Sequence, residues 1–189
     1  MTLFLETDRL ILRRFTAADE DNLVELNGDP EVMRYLTGGR PSSREEIRSR
    51  VLPGFLGYYE RFEDLGFWAA EEKTTGRFLG WFHFRPRVNE PRDGEIELGY
   101  RLLRSAWGKG YATEGSRALI DKGFTEQGVE RVVAETMTVN AGSRRVLEKA
   151  GLTLVRTFHP EGLDPIEGSE HGEVEYALSR ADWERQRLG

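Results

Sequence analysis

Trp107-Gly108-Lys109-Gly110-Tyr111-Ala112-Thr113-Glu114 joins an alternating strand to a helix that starts on small residues, and its reading decides the fold. Upstream, Ile96, Leu98, Tyr100 and Leu102 share one face of a strand expected from Glu95 to Leu103, with Glu95, Glu97, Gly99 and Arg101 on the other. Downstream, Ala112, Gly115, Ala118, Leu119 and Phe124 form one apolar stripe on a helix expected from about Gly110 to Phe124. At the junction, Gly108 and Gly110 lack the Cβ atoms that would block close approach. The first N–H groups of a helix have no internal acceptor and carry the positive end of its dipole. Such a turn suits an anion, with Lys109 adding a point charge. Each N–H bond to a phosphate oxygen contributes about 1.5–3 kcal/mol, so several converging on a diphosphate supply micromolar affinity without an arginine clamp. The same glycines also suit a plain surface turn, and context has to decide.

Two other phosphate loops are excluded by spacing. A P-loop needs Gly five places before Gly108 and Ser or Thr after Lys109, where Leu103 and Gly110 stand. A dinucleotide fingerprint starting at Gly108 and Gly110 needs Gly or Ala at the place of Thr113.

Gly110 and Ala112 fill the last two places of the pattern Gln/Arg-x-x-Gly-x-Gly/Ala, so the segment resembles motif A of the GNAT superfamily of acyl-CoA-dependent N-acyltransferases. Trp107 stands in the Gln/Arg place, a departure similar to the RimJ/RimL-like branch that acetylates ribosomal-protein N-termini. Three further segments resemble that branch in order: Thr7-Asp8-Arg9-Leu10-Ile11-Leu12-Arg13, the run from Asn140 to Gly151, and Tyr176-Ala177-Leu178-Ser179-Arg180-Ala181-Asp182-Trp183. The resemblance implies an α/β (α+β) fold in which a mixed sheet splays between the strands Glu95–Leu103 and 131–139, with pantetheine in the split. It implies acetyl-CoA as acyl donor, pantetheine beside the strand at Leu102, and the diphosphate on Trp107, Gly108, Lys109, Gly110, Tyr111, Ala112 and Thr113. Asn140, Ser143 and Arg145 complete the implied cofactor set, with Arg144 or Arg145 toward the outer phosphate.

Chemistry requires an unprotonated amine, a stabilised oxyanion and a proton for the departing thiolate. The resemblance makes Glu97 the first candidate for general base, directly or through water, against an ordinary salt-bridged role; Glu135 is the reserve. The tyrosine that many GNAT enzymes carry seven places after the motif asparagine is Leu147 here, so Ser143 is the transferred proton donor, against a simple helix-start hydrogen bond. His83, between Phe82 and Phe84, is a substrate-side candidate, whereas Trp68, Trp81, Phe82 and Phe84 read as core. An α-amine with a pKa of about 7.7–8.0 is partly neutral already, and a lysine near 10.4 costs about 3–4 kcal/mol more to deprotonate. The acceptor is therefore expected to be a primary amine, a protein N-terminus or a small molecule such as an amino acid or antibiotic. A silent CoA-binding sensor is the alternative from another class, and a nucleotide-binding regulator the third.

Composition agrees. The 189 residues, 38% of them hydrophobic, suffice for a single domain, 1–189, burying ~70% of the unfolded surface. No run approaches the ~20 apolar residues of a membrane helix, and a soluble cytoplasmic protein is expected. The absence of cysteine excludes disulfides, thiolate metal sites and a Cys-linked acyl-enzyme, leaving direct transfer in a ternary complex. Three scattered histidines give no metal motif, and a net charge of −6 argues against nucleic acid as a partner. The acidic run Glu161, Asp164, Glu167, Glu170, Glu173 and Glu175 either attracts a cationic acceptor or is simply solvated. A homodimer is expected only by analogy.

Elsewhere, Leu10 to Phe15 reads as a strand, Thr16 with Asp19 as a capping box, and Asp29-Pro30 as a second helix start. Ser43 is expected to cap a helix carrying Ile47, Val51 and Phe55, kinked or split by Pro53. A hairpin is expected from Gly66 to Phe84 about Thr74-Thr75-Gly76. Another strand runs 131–139, then the Asn140 helix, and a last pair spans 153–158 and 173–178.

Overall fold

In a computed structural model describing residues 1–189, the chain opens on two antiparallel strands, β1 (Leu3–Glu6) and β2 (Leu10–Arg14). The capping box forms: the Thr16 hydroxyl accepts from the Ala18 N–H, and Asp19 accepts from the Thr16 N–H at 2.9 Å. It leads into α1 (Glu20–Gly28). Asp29 accepts from the Glu31 N–H with Pro30 in the first turn, and α2 (Pro30–Thr37) follows.

Ser43 caps α3 (Arg44–Glu46), which passes through one π-helical turn at Ile47–Val51 into α4 (Leu52–Arg61). Proline was expected to break this helix because it lacks an N–H and crowds the carbonyl four residues back. The wider turn, closed by the Leu52 N–H on the Ile47 carbonyl, absorbs that conflict just ahead of Pro53. It also moves the buried stripe by one residue, from Val51 to Leu52, so Ile47, Leu52 and Phe55 enter the core.

The hairpin β3 (Gly66–Glu72) and β4 (Phe78–Pro86) precedes β5 (Glu95–Leu102), α5 (Tyr111–Glu126), β6 (Arg131–Met137), α6 (Ala141–Lys149), β7 (Thr153–Phe158), β8 (Glu173–Ser179) and α7 (Arg180–Leu188). The strands form one sheet ordered β1-β2-β3-β4-β5-β6-β8-β7. All neighbours are antiparallel except β5 and β6, which run parallel through Glu95↔Arg131, Ile96↔Val132 and Glu97↔Val133 and then part. β5 continues to Leu102 on β4 and β6 to Met137 on β8 without pairing to each other, so a wedge opens inside the sheet. This is the mixed, splayed sheet of the expected α/β fold.

Both faces are covered. On one, α5 lies so close that a Cβ at Gly115 would sit 2.7 Å from Phe82 Cε1, and the core gathers Phe82, Phe84, Leu98, Leu119 and Phe124. On the other, α1 and the helix ending in α4 bury Leu23, Leu26, Ile47 and Phe55 against Trp81. Trp68, Trp81, Phe82 and Phe84 are core residues, as the strand pattern implied.

Candidate active site

The turn at the head of α5 leaves a run of backbone donors open. Gly108 and Gly110 have φ of +71° and +83°, a region that disfavours side chains, and residues 107–110 are exposed. The first helical bond is Glu114 N–H to the Gly110 carbonyl at 3.0 Å, and no protein acceptor is paired with the N–H groups of residues 108–113. The turn is held from behind. Arg9 donates to the Lys109 carbonyl at 2.9 Å and to Glu114 at 2.7 Å, stacks over Tyr111 at 4.5 Å, and its own N–H donates to Glu114 at 2.8 Å. The Thr7 hydroxyl reaches Glu114 at 2.6 Å, and Tyr111 donates to Glu72 at 2.6 Å. The Thr7-Asp8-Arg9 segment thus anchors the loop. Glu114 turns away from the free amides, and Lys109 stays exposed.

The departure at Trp107 has a structural account. Its indole Nε1–H donates to the Leu102 carbonyl at 2.9 Å, tying the end of β5 to the turn. Leu102 itself is buried, and that carbonyl is already engaged; the β6-facing edge of β5 beyond Glu97 is otherwise without a strand partner.

Across the wedge, Asn140 caps α6 by accepting from the Ser143 N–H at 3.1 Å. The Ser143 hydroxyl lies 2.9 Å from the hydroxyl of Tyr100, which also donates to the Ser143 carbonyl at 3.2 Å. Burial pushes the Tyr100 hydroxyl up to about 12, with the Ser143 hydrogen bond working against it. Sequence reasoning assigned Tyr100 to the apolar face; only its place on a strand bordering the wedge could have drawn notice. Arg144 turns inward to Tyr176 and the Thr138 carbonyl, both at 3.1 Å, leaving Arg145 as the exposed member of the pair.

Glu97 lies on the other face of β5. Its Oε2 is 3.4 Å from Arg85 and its Oε1 is 3.5 Å from His83 Nε2. Burial opposes its charge, but His83, Arg85 and Arg87 outweigh that and hold the carboxyl below its usual range. Burial equally pushes His83 down, so its ring is neutral near pH 7 and the persistent positive charge beside Glu97 comes from the arginines. Glu135, the reserve base, is bound by Arg87, and burial raises it. Arg87 also reaches Glu175 at 2.8 Å and Glu95 at 3.4 Å. The acidic run therefore divides. Glu161, Asp164, Glu167 and Glu170 are solvated in the loop before β8, while Glu175 is buried and paired with the buried Arg87 and the exposed Arg156. It is not one exposed patch.

An exposed glycine turn with unpaired N–H groups beside a splayed parallel pair fits the acyl-CoA-dependent fold that the sequence resembles. Residues 9–153 match the family model described as acetyltransferase (GNAT) domain. The chain belongs to the GNAT acetyltransferase family and is an N-acetyltransferase that uses acetyl-CoA. It is 34% identical over 188 residues to FsC-acetyl coenzyme A-N(2)-transacetylase of Aspergillus fumigatus, covering 97% of this chain and 79% of that protein. Its fold is similar to that of RimL, a ribosomal alpha-N-protein acetyltransferase solved with coenzyme A, at a TM-score of 0.78, 19% identity and coverage of 94% and 97%. It is also similar to that of aminoglycoside acetyltransferase AAC(6')-Ib solved with coenzyme A, at a TM-score of 0.74, 22% identity and coverage of 94% and 99%. No helix is long and apolar enough to cross a membrane.

Proposed function

We propose that the chain, acting as one domain over residues 1–189, transfers acetyl directly from acetyl-CoA to a weakly basic primary amine, a protein N-terminal α-amine in the RimJ/RimL manner first. The observation carrying this reading is the run of unpartnered N–H groups at residues 108–113 next to the unpaired edge of β5. In the reading, Gly108, Lys109, Gly110, Tyr111, Ala112 and Thr113 hold the diphosphate. Trp107 fixes the turn to Leu102, and Arg145 meets the outer phosphate. The bound donor supplies an activated acyl carbonyl and a thiolate leaving group.

Glu97 takes the proton of the amine, directly or through water. Ser143, whose hydroxyl adjoins that of Tyr100 at 2.9 Å, returns a proton on the side of the wedge where the thiolate departs. The depressed carboxyl bears on the acceptor. Even at its ordinary value of 4.5, taking a proton from an α-ammonium is uphill by about 4–5 kcal/mol and from a lysine ammonium by about 8 kcal/mol. Glu97 therefore serves an amine that is already partly neutral. A small-molecule amine is the second reading, favoured by the name of the 34%-identical relative, which specifies an N(2) acceptor.

The test is thiol release from acetyl-CoA across peptides with free N-termini, N-blocked peptides carrying one lysine, and small amines including aminoglycosides. Turnover of free N-termini at least tenfold above the lysine peptides is expected. Preference for the N-blocked lysine peptides would overturn the reading.

A further inference from the structure

We propose that His83 is a positioning residue for Glu97 and that Gly99 is the vacancy that lets it act; the proposal rests on Glu97 being the base. β4 sets His83 directly opposite Gly99 on β5. The imidazole lies over the glycine so closely that a Cβ there would fall 2.6 Å from Nε2 and nearer still to Cε1. With that Cβ missing, the ring extends along the sheet toward Glu97, two residues earlier on the same face, and brings Nε2 to 3.5 Å from Oε1. Phe67 meets the ring edge-on at 5.3 Å and Trp81 lies alongside it at 5.8 Å, so its orientation is set by packing.

Nε2 is sealed from solvent and has no hydrogen-bond partner, and the nearby acceptor is Glu97. A buried N–H without an acceptor is unfavourable, and catalytic contacts commonly tighten when substrate arrives. Once that contact tightens, the neutral ring with its proton on Nε2 donates to Oε1 while Arg85 stands near Oε2, so the carboxylate is oriented from both oxygens. A neutral donor fixes direction at a smaller loss of basicity than a second adjacent cation would bring. The charged groups facing the pair are Arg85 on β4, Arg87 after it, Arg101 on β5 and Glu135 on β6, while β3 contributes the apolar Phe67. Arg85 and Arg101 disfavour the imidazolium and Glu97 favours it, so removing the Glu97 charge must lower the His83 pKa.

Imidazole NMR on histidine-labelled full-length protein tests this, with the exposed His159 and His171 as internal references. Glu97→Gln is expected to lower the His83 pKa by about half a unit or more and leave the references unmoved. In Gly99→Ala, which displaces the ring, the same change should have no effect. In thiol release with acetyl-CoA and a free-N-terminus peptide, His83→Leu should lower kcat about tenfold with the acetyl-CoA KM within twofold. His83→Gln, which restores an N–H, should stay within threefold of the parent. An unmoved His83 pKa in Glu97→Gln, or equal impairment of His83→Gln and His83→Leu, would overturn the proposal. Full activity of Glu97→Gln would remove the base and this role with it; a persisting His83 shift would show that the contact itself had not failed.

Discussion

Replacing Gly110 by valine tests the anion turn most directly. Gly110 holds φ +83° at the head of α5, and a Cβ there would sit 3.3 Å from Arg9 Nη2, the flexible end of the side chain that braces the loop. The added atoms therefore press on the brace behind the turn and do not fill its open side. Keeping the left-handed conformation costs an L-residue about 1–2 kcal/mol, equivalent to a Tm loss of roughly 2–8 °C in a chain of this size. Relaxing to negative φ relieves that strain but swings the N–H groups of residues 110–113 out of convergence. Loss of two charge-assisted contacts worth about 1.5–3 kcal/mol each weakens acetyl-CoA by roughly two to four orders of magnitude. Gly76→Val is the control: φ is +70° there too, nothing lies within 4 Å of the added Cβ, and the β3–β4 turn carries no proposed ligand contact. Calorimetric titration of both variants, with thermal melts alongside, separates strain from site. The reasoning fails if folded Gly110→Val binds acetyl-CoA within threefold of the parent, or if Gly76→Val loses as much.

Ser143→Ala should slow thiol release roughly 10–100-fold while acetyl-CoA affinity stays within about threefold, because the proton donor is lost while the backbone N–H groups of the turn remain; steady-state rates beside calorimetry check it, and parallel losses count against it. Because the folded Glu97 carboxyl lies below its usual value, it stays ionised as pH falls through the acceptor's own ionisation. The acid limb of kcat/KM should therefore follow the acceptor amine pKa across a series, and a midpoint fixed near 6–7 for every amine contradicts this. Asp19→Asn should cost about 3–5 kcal/mol, since it disrupts a buried ion pair in which Arg13 donates at 2.8 and 2.9 Å. Burial raises the Asp19 pKa, but Arg13, the Thr16 N–H and Asn22 outweigh it and depress the carboxyl. Its stabilisation is thus present above the unfolded value near 3.9 and lost as pH falls through the lower folded value. Urea melts between pH 7 and 3 should show a shallower acid dependence in the variant.

Much of this was legible where the signal is local. The Thr16 and Asp29 caps, the β3–β4 hairpin and the paired faces of β5 follow from side-chain alternation and capping chemistry within a few residues, and each stands within two residues of its expected place. β1 was missed because four half-exposed residues carry no alternation worth counting, and α7 because Arg180–Leu188 has no apolar stripe and docks chiefly through Trp183 on Asp121 and Phe124. The π turn before Pro53 was missed because one extra residue per turn changes the stripe only from Val51 to Leu52. In the site, the glycines were readable as backbone freedom. The Arg9–Glu114 brace, the Tyr100–Ser143 hydroxyl pair and the His83–Gly99–Glu97 arrangement were not, because the first two join a helix to a distant segment and the third two paired strands, contacts that only the tertiary fold creates.

The parting of β5 from β6 makes the sheet an incomplete hydrogen-bonding system. Beyond Glu97 the ladder stops although both strands run on, which leaves an unzipped seam where most proteins would place a neighbouring strand. A ligand with amides of its own, laid in that seam, would serve as the absent rung, and occupancy would register as resistance to heat. At a thousandfold excess over its dissociation constant, such a guest adds about 4 kcal/mol to folding, so a melting curve alone can rank the molecules this protein was shaped around.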